Sequence, residues 1–294
     1  MANVISRLPE AQIAALSSGY RAELAAKRNM TLLGVAVIVF LSLIAAQVAE
    51  IDPGKFITNI DKLTSYFGRL FYLDTGAHVF TDVREWFWGI QKWSVKLLDT
   101  LLIAYLGTLL GAVFAFYLCF SAAANLTPQK GKRFTARRFL EFCRTVPEIV
   151  FALIFVVAFG LGSVPGVLAI MIHTTGALGK LFSEVVENID IKPVEGIIAS
   201  GGTRWQAIRY GVLPQVLPNF TSYALLRFEI NVRGASVMGF VGAGGIGQDL
   251  ITAIRKFYYS DVSAILLMII ATVMIIDILT ERLRNTLTAQ ETGR

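Results

Sequence analysis

The stretch Thr100–Gln129, with the sequence TLLIAYLGTLLGAVFAFYLCFSAAANLTPQ, contains no charged residue. A helix that crosses a lipid bilayer needs about 20 predominantly apolar residues, and this stretch is long enough to supply them. It therefore predicts a transmembrane helix, and with it a membrane protein.

The composition of the whole chain supports the same prediction. Hydrophobic residues make up 55% and charged residues 16% of the 294 residues, whereas soluble domains contain about 25% charged residues. The net charge of +6 could indicate nucleic-acid binding, but the basic residues gather in short stretches between apolar segments, as in cytoplasmic loops of membrane proteins. Cys119 and Cys143 lie in apolar stretches, where cysteine acts as a small hydrophobic residue. We therefore predict an integral membrane protein that does not bind nucleic acid.

Six transmembrane helices are predicted from the apolar runs. The first follows basic residues like a signal peptide, but its length and the segment before it favour a retained anchor helix. The cluster GLGSVPG at 160–166 divides a run that is too long for one span, and it predicts a tight turn outside the membrane. The predicted spans are roughly 31–49, a segment within 100–129, about 139 to 160, 164–181, 216–238 and 260–281.

The distribution of lysine and arginine in the loops predicts the orientation. Five basic residues lie between Lys130 and Arg138 without an acidic residue, so this loop is predicted to be cytoplasmic. Alternation places the N-terminus, region 182–214 and the C-terminal tail in the cytoplasm, and regions 50–96 and 239–259 outside. The aromatic residues of region 50–96 fit short helices at the outer membrane interface.

These predictions define an all-α integral membrane protein with about six transmembrane helices. Its predicted parts are a cytoplasmic N-terminal segment at 1–30, an N-terminal transmembrane helix at 31–49, an extracytoplasmic segment with interfacial helices at 50–96, a main transmembrane domain at 97–285 and a cytoplasmic tail at 286–294.

The cytoplasmic segment Glu195–Pro214 has the sequence EGIIASGGTRWQAIRYGVLP. It predicts two short helices around a hinge at Gly201–Gly202, because glycine adopts positive φ at little cost. Thr203 can cap the second helix, and Pro214 fits the first turn of the following membrane helix. Such a unit is suited to dock on another protein and to transmit its motion into the membrane.

The second helix of this segment also has a helical pattern of apolar residues. Trp205, Ile208 and Val212 recur at helical spacing. We therefore expect these side chains to share one face of the helix.

The segment resembles the EAA signature of ABC-importer permeases, in which a Glu is followed by a Gly six residues later and then by Leu-Pro. The matching residues are Glu195, Gly201, Leu213 and Pro214, and the departures are Gly196, Ile197 and Gly211. The strings GTRWQAIRYGVLPQVLP, RTVPEIVFALIFVVAFGLG, IHTTGALGKLFSEVVENI and GFVGAGGIGQDL are similar to the phosphonate-importer permease. The resemblance covers about residues 97–285.

The resemblance implies the permease core of a type I importer in the inner membrane of a prokaryote, with a cytoplasmic coupling helix. It implies a second copy of the permease, two cytoplasmic ATP-binding subunits that hold ATP and Mg²⁺, and an extracytoplasmic substrate-binding protein. The chain contains no G-x-x-x-x-G-K-[ST] motif, so we expect no enzymatic activity, cofactor or metal in the chain itself. The residues implied in coupling to the ATPase are Glu195, Gly196, Ile197, Ile198, Ala199, Ser200, Gly201, Arg204, Leu213 and Pro214.

The implied cargo is a phosphonate or a related phosphorus oxyanion such as phosphite or phosphate. Two alternatives remain open at this point. A related importer permease for another small solute, such as methionine, shares most of these motifs. A membrane transporter that works without ATP is a different class, and it should function without an ATPase partner.

A glycine-rich loop is predicted outside the membrane. Its residues Gly242, Gly244, Gly245 and Gly247 satisfy a G-x-G-x-x-G pattern, but no strand–helix–strand unit surrounds them, so a dinucleotide site is not expected. We expect a flexible loop with close backbone packing that gates the outer mouth of the pathway or meets the binding protein.

Charged residues within predicted spans are costly and suggest function. Arg227, Glu229 and Arg233 lie in the fifth span, where Glu229 and Arg233 share a face. Two interpretations stay open: Arg227 or Arg233 donates hydrogen bonds to an oxyanion in the substrate pathway, or the charges form an ion-paired helix interface.

Two further polar features lie in the third and fourth predicted spans. Arg144 and Glu148 have i, i+4 spacing and are expected to form a structural pair in the third helix. His173 in the fourth helix has no second ligand at suitable spacing, so we expect an interior, hydrogen-bonded histidine rather than a metal ligand.

Overall fold

The computed structural model describes residues 10–73 and 75–292, which are largely helical. The chain forms two compact units, which divide between Ser65 and Tyr66. Helix α1 is Glu10–Val48 and helix α2 is Pro53–Arg69. The apolar side chains of α1 from Gly19 onward are almost all exposed within the first unit, as expected for a helix that faces lipid or another chain.

The second unit contains the remaining helices. In chain order they are α3 (Val83–Trp86), α4 (Ile90–Ala122), α5 (Lys130–Thr145), α6 (Glu148–Phe159), α7 (Ser163–Glu187), α8 (Lys192–Ala199), α9 (Arg204–Gln206), a π-helix (Ala207–Val212), α10 (Leu213–Met238), a 3₁₀ turn (Gly239–Val241), α11 (Gly247–Arg255) and α12 (Tyr259–Thr292).

Four described segments are long and apolar enough to cross a membrane, namely Gly19–Val48, Ile90–Ala122, Ser163–Glu187 and Tyr259–Thr286. The pair α5 and α6 supplies a fifth span if it is counted as one broken helix. The fifth predicted span, 216–238, corresponds to α10, which does not qualify by composition. This helix is too polar because it contains three charged residues together with Gln, Asn and Pro side chains.

The third predicted span is broken, which corrects the expectation of one continuous helix. Pro147 ends α5, because a residue before proline avoids the helical region, and Val146 is extended with ψ of 123°. Helices α5 and α6 meet at 84°. The predicted Arg144–Glu148 pair is therefore wrong, since the two residues lie on different helices, with Arg144 exposed and Glu148 partly buried.

Helices α4 and α7 form the most extensive helix–helix contact among the described residues. A Cβ atom on Gly107 would lie 2.6 Å from Cγ2 of Ile170, and one on Gly111 would lie 2.7 Å from Cβ of Thr174. These two glycines are spaced as in the small-xxx-small pattern that lets membrane helices approach closely. Because Gly107 and Gly111 have no side chains, α4 and α7 can lie this close together.

The part of region 50–96 that belongs to the second unit packs on α11 and on the start of α12. Trp86 Nε1 donates to Ser263 Oγ at 3.0 Å, and Trp88 Nε1 donates to Asp261 Oδ1 at 2.9 Å. Lys92 Nζ contacts Asp249 Oδ1 at 2.5 Å. These bonds fix residues 86–92 on α11 and α12.

Candidate functional site

Helix α8 presents one face to solvent and one to the protein. Val194 is 3% exposed and anchors the helix, whereas Ile198 is 56% exposed. Glu195, Gly196 and Ala199 are also exposed. An exposed isoleucine beside small residues gives α8 a surface on which another protein can pack.

The turn after α8 has the geometry that the sequence predicted. Gly201 has φ of +84°, a conformation that side chains other than glycine rarely adopt. Gly202 N donates to Ile197 O at 2.9 Å, and a Cβ on Gly202 would lie 2.6 Å from Cγ2 of Ile197. The predicted cap is also confirmed, because Thr203 and Gln206 form a reciprocal capping box.

Helix α9, the π-helix and α10 continue into one another without a break, and Pro214 lies in the first turn of α10. The predicted apolar stripe is correct only in part. Ile208 is 6% exposed and Val212 is fully buried, but Trp205 is 65% exposed. The backbone changes from α to π at Ala207, so the spacing of an α-helix does not extend across the whole segment.

One contact fixes this helix-turn-helix to the membrane domain, and a second packs its two helical arms against each other. Arg204 Nη2 donates to Thr127 Oγ1 at 3.0 Å, in the connection between α4 and α5. Gly211 lies against Val194, since a Cβ there would be 3.1 Å from Val194 Cα. Gly211 departs from the family pattern, and its missing side chain is what admits α8 to this position.

Gln215 is a positioning residue that the sequence reasoning missed. Asp190 N donates to Gln215 Oε1 at 3.1 Å, and Gln215 Nε2 donates to Asp190 O at 3.1 Å and to Gly211 O at 2.6 Å. One side chain of α10 therefore holds the loop that leads into α8. Only the observation that the loop and α10 are neighbours identifies this role.

We expect Gln215→Met, which keeps the side-chain length but removes these bonds, to speed hydrogen exchange at the Asp190 amide. The loss of about 1.4 kcal/mol of hydrogen bonding corresponds to roughly tenfold faster exchange. Exchange mass spectrometry over residues 188–192 measures it. The control is Gln129→Met, because Gln129 is exposed and forms no side-chain cap. If the Asp190 amide exchanged equally slowly in Q215M and in Q129M, the positioning role of Gln215 would be contradicted.

A cleft separates the two helices of the segment. Its volume is about 430 Å³, and its lining includes Pro193, Gly196, Ser200, Gln206 and Tyr210. Tyr210 is 63% exposed at its edge. The exposed face of α8 borders this cleft, because Gly196 and Ser200 line it.

The charged residues of α10 lie on two faces. Arg233 pairs with Glu229, as the i, i+4 spacing predicted, and also with Asp277 of α12 at 3.4 Å. Asp277 was not identified from the sequence, because nothing local relates it to Arg233. The side chain of Arg233 is 50% exposed, so this charged group lies at the surface of the single chain.

Arg227 lies on the other face of α10, near Asn231. Asn231 is fully buried, and its Nδ2 donates to Thr108 Oγ1 at 2.7 Å and Thr174 Oγ1 at 2.9 Å. It joins α4, α7 and α10, a role that sequence reasoning missed because the residue is uncharged. His173 Nδ1 lies 3.2 Å from Val146 O, which agrees with the predicted interior histidine.

The glycine-rich loop packs closely, as predicted, but it is largely buried, which disagrees with a flexible loop. Gly242, Gly244 and Gly245 have positive φ. Gly162 N donates to Gly242 O at 3.0 Å, and Ile246 N donates to Thr100 Oγ1 at 2.9 Å. Gly247 lies against Ser236 and Gly239. The loop thus connects the turn between α6 and α7 with Thr100 in the first half of α4.

Known proteins resemble this chain in sequence and in fold. Residues 130–289 match the family model of the binding-protein-dependent transport system inner membrane component. The phosphite transport system permease protein PtxC of Stutzerimonas stutzeri is 43% identical over 68% of this chain and 72% of its own length. The phosphate-import permease protein PhnE of Mycolicibacterium smegmatis is 39% identical over 64% of this chain and 36% of its own length.

Among solved structures, an inward-facing MetNI methionine ABC transporter chain superposes with a TM-score of 0.59 and 19% identity, covering 66% of this chain and 95% of that chain. This likeness confirms the predicted fold of a type I importer permease. Together with the match over residues 130–289, it leads to one conclusion: the chain belongs to the family of binding-protein-dependent transport system inner membrane components.

Proposed function

We propose that this chain is the permease subunit of an ATP-driven importer that passes a phosphonate or a related phosphorus oxyanion into the cytoplasm. The observation that supports this most directly is the 43% identity to a phosphite transport permease, combined with a docking surface that continues into a membrane helix. The cargo would arrive from an extracytoplasmic binding protein.

In this proposal, two cytoplasmic ATPase subunits that hold ATP and Mg²⁺ bind the exposed face of α8 in each of two permease copies. When the ATPase subunits close, α8 moves, and the segment from Thr203 through α10 transmits the movement into the membrane. Because Gln215 and Gly211 hold α8 against the start of α10, the two helices would move as one body. Both termini would be cytoplasmic, in a prokaryotic inner membrane, with the domain boundaries predicted above.

The pathway is proposed to run along α10. A charge exposed to hydrocarbon is costly, so the half-exposed Arg233 and its partners Glu229 and Asp277 would face water or the second permease copy. Arg227 would serve the pathway from the opposite face. The packed loop of Gly242–Gly247 would close the outer end.

The two alternatives are less well supported. The methionine transporter chain shares 19% identity, which indicates a common fold and leaves the cargo open. A transporter that works without ATP would have no need for the exposed, clamped helix α8.

Uptake assays test this proposal. We expect proteoliposomes that contain the permease, its ATPase and its binding protein to import phosphonate, phosphite or phosphate, and to import no methionine. Omission of ATP or of the ATPase should reduce uptake to the background of empty vesicles. Methionine uptake, or uptake that persists without the ATPase, would refute the proposed function.

A further inference from the structure

Two buried atoms of opposite charge lack hydrogen-bond partners in the membrane core. They are Oε2 of Glu148 and Nε of Arg227, and neither finds a partner among the described residues. A buried charged group that is left unsatisfied is unfavourable. Neither residue belongs to the Glu229–Arg233–Asp277 group.

The two side chains face the same strip of α10. Glu148 is the first residue of α6, and its carboxylate lies against Gly234, where a Cβ would collide with it. Arg227 precedes Gly234 by seven residues, which is about two helical turns or roughly 10 Å along the axis. An arginine side chain is long enough to cover much of that distance.

The strip between them is held in place by polar contacts. Asn231 lies between Arg227 and Gly234 on α10, and its bonds to Thr108 and Thr174 fix α10 against α4 and α7. His173 lies next to Thr174 on α7, and its Nδ1 is 3.2 Å from Val146 O. Arg227 and Glu148 therefore face the same strip of α10, and no direct ion pair joins them in the described part of the chain.

An ion pair would satisfy both groups if the side chains could meet. Their separation leaves an N–H donor and a carboxylate acceptor, and Asn231 Oδ1 is a further unsatisfied acceptor between them. Such a set is the complement of a small ligand that has both an acceptor oxygen and an O–H group. Protonated monoanions of phosphorus oxyanions have both, because the second proton of a phosphoryl group is lost only near pH 6. Sulfate has acceptor oxygens and no O–H at this pH.

We propose that Glu148 and Arg227 form a transient oxyanion site that selects protonated phosphorus oxyanions over sulfate. Arg227 Nε–H donates to an anionic oxygen of the ligand, and the ligand O–H donates to Glu148 Oε2. A fully deprotonated oxyanion would place acceptor oxygens against the carboxylate and be repelled. This inference rests on the proposed function, and it makes Glu148 a specificity-determining residue.

The test uses Glu148→Gln, because an amide both donates and accepts and no longer repels sulfate. Binding of inorganic phosphite at pH 6 to the purified full-length permease in nanodiscs is followed by ³¹P NMR line broadening, which detects weak binding without the external binding protein. Sulfate is then titrated in as a competitor. We expect sulfate to compete about tenfold better in E148Q than in the wild type, a change of about 1.4 kcal/mol.

Matched controls are available in the Arg138–Glu141 pair of α5. E141Q and R138Q make the same chemical changes and should bind phosphite and exclude sulfate as the wild type does, whereas R227Q should lose phosphite binding. Thermal unfolding checks that each variant is folded. If E148Q does not fold, Glu148→Asp withdraws the carboxylate by one methylene group, and it should weaken phosphite binding while sulfate stays excluded.

The outcomes separate the two proposals. If the wild-type importer takes up phosphite but E148Q excludes sulfate as E141Q does, or if R227Q still binds phosphite, the oxyanion site is refuted and the importer function stands. If the assembled wild-type importer takes up none of the phosphorus oxyanions, the proposed function itself fails.

Discussion

Replacing Gly202 with valine is expected to reduce ATP-driven uptake to background while the membrane core stays folded. A Cβ at this position would lie 2.6 Å from Cγ2 and 2.7 Å from the carbonyl oxygen of Ile197. The clash involves a backbone atom of Ile197 as well as a side-chain atom, so a different rotamer of Ile197 cannot relieve it. Helix α8 must shift from its present position, and the hydrogen bond between Gly202 N and Ile197 O that closes the turn is lost.

Two measurements check this expectation. Co-purification of the ATPase subunits with G202V should fall together with uptake, because the docking surface is displaced. The melting temperature should change little, since the affected turn is exposed and lies outside the membrane core. Gly131→Val is the control, as a Cβ at Gly131 has no neighbour within 4 Å. Normal uptake by G202V would show that the position of α8 is not needed for coupling.

Replacing both Gly107 and Gly111 with valine is expected to give a larger loss of stability than any of the single substitutions proposed above. Each new side chain would press on α7, at Ile170 and at Thr174 respectively. Overpacking typically costs about 1–3 kcal/mol per site, and the two sites act on the same helix pair. Separation of α4 and α7 would also break the Asn231 bonds to Thr108 and Thr174.

The loss should appear as a lower yield of folded protein and a lower melting temperature in detergent. The matched control is Gly34→Val in α1, where a Cβ has no neighbour within 4 Å. Each single variant should show an intermediate effect. A double variant with the same melting temperature as the wild type would mean that α4 and α7 can separate without loss of stability. That result would contradict the close packing of these two helices.

Features that depend on local backbone preference were predictable from the sequence. Gly201 and Thr203 specify the turn and the cap after α8 wherever that segment is placed, because both act on backbone groups a few residues away. The apolar runs likewise predicted the membrane class. Glu229 and Arg233 were predicted to pair because helical spacing alone brings them together.

Pro147 shows the limit of local reasoning. The tendency of proline to end a helix was visible, but the 84° turn between α5 and α6 was not, because the direction of the chain after a break depends on what each helix packs against. The predicted Arg144–Glu148 pair failed for that reason, and the same turn brought Glu148 to Gly234.

The sequence by itself determined that this chain spans membranes and contains a capped helix-turn-helix joined to a membrane helix. Only the tertiary structure decided which polar groups meet. It pairs Gln215 with Asp190, Asn231 with Thr108 and Thr174, and Arg233 with Asp277. It also places Glu148 against the face of α10 that carries Arg227. The physical reason is the distance along the sequence over which each kind of interaction acts. Hydropathy and backbone preference act over a few neighbouring residues, whereas these contacts join distant residues and exist only after the helices have packed.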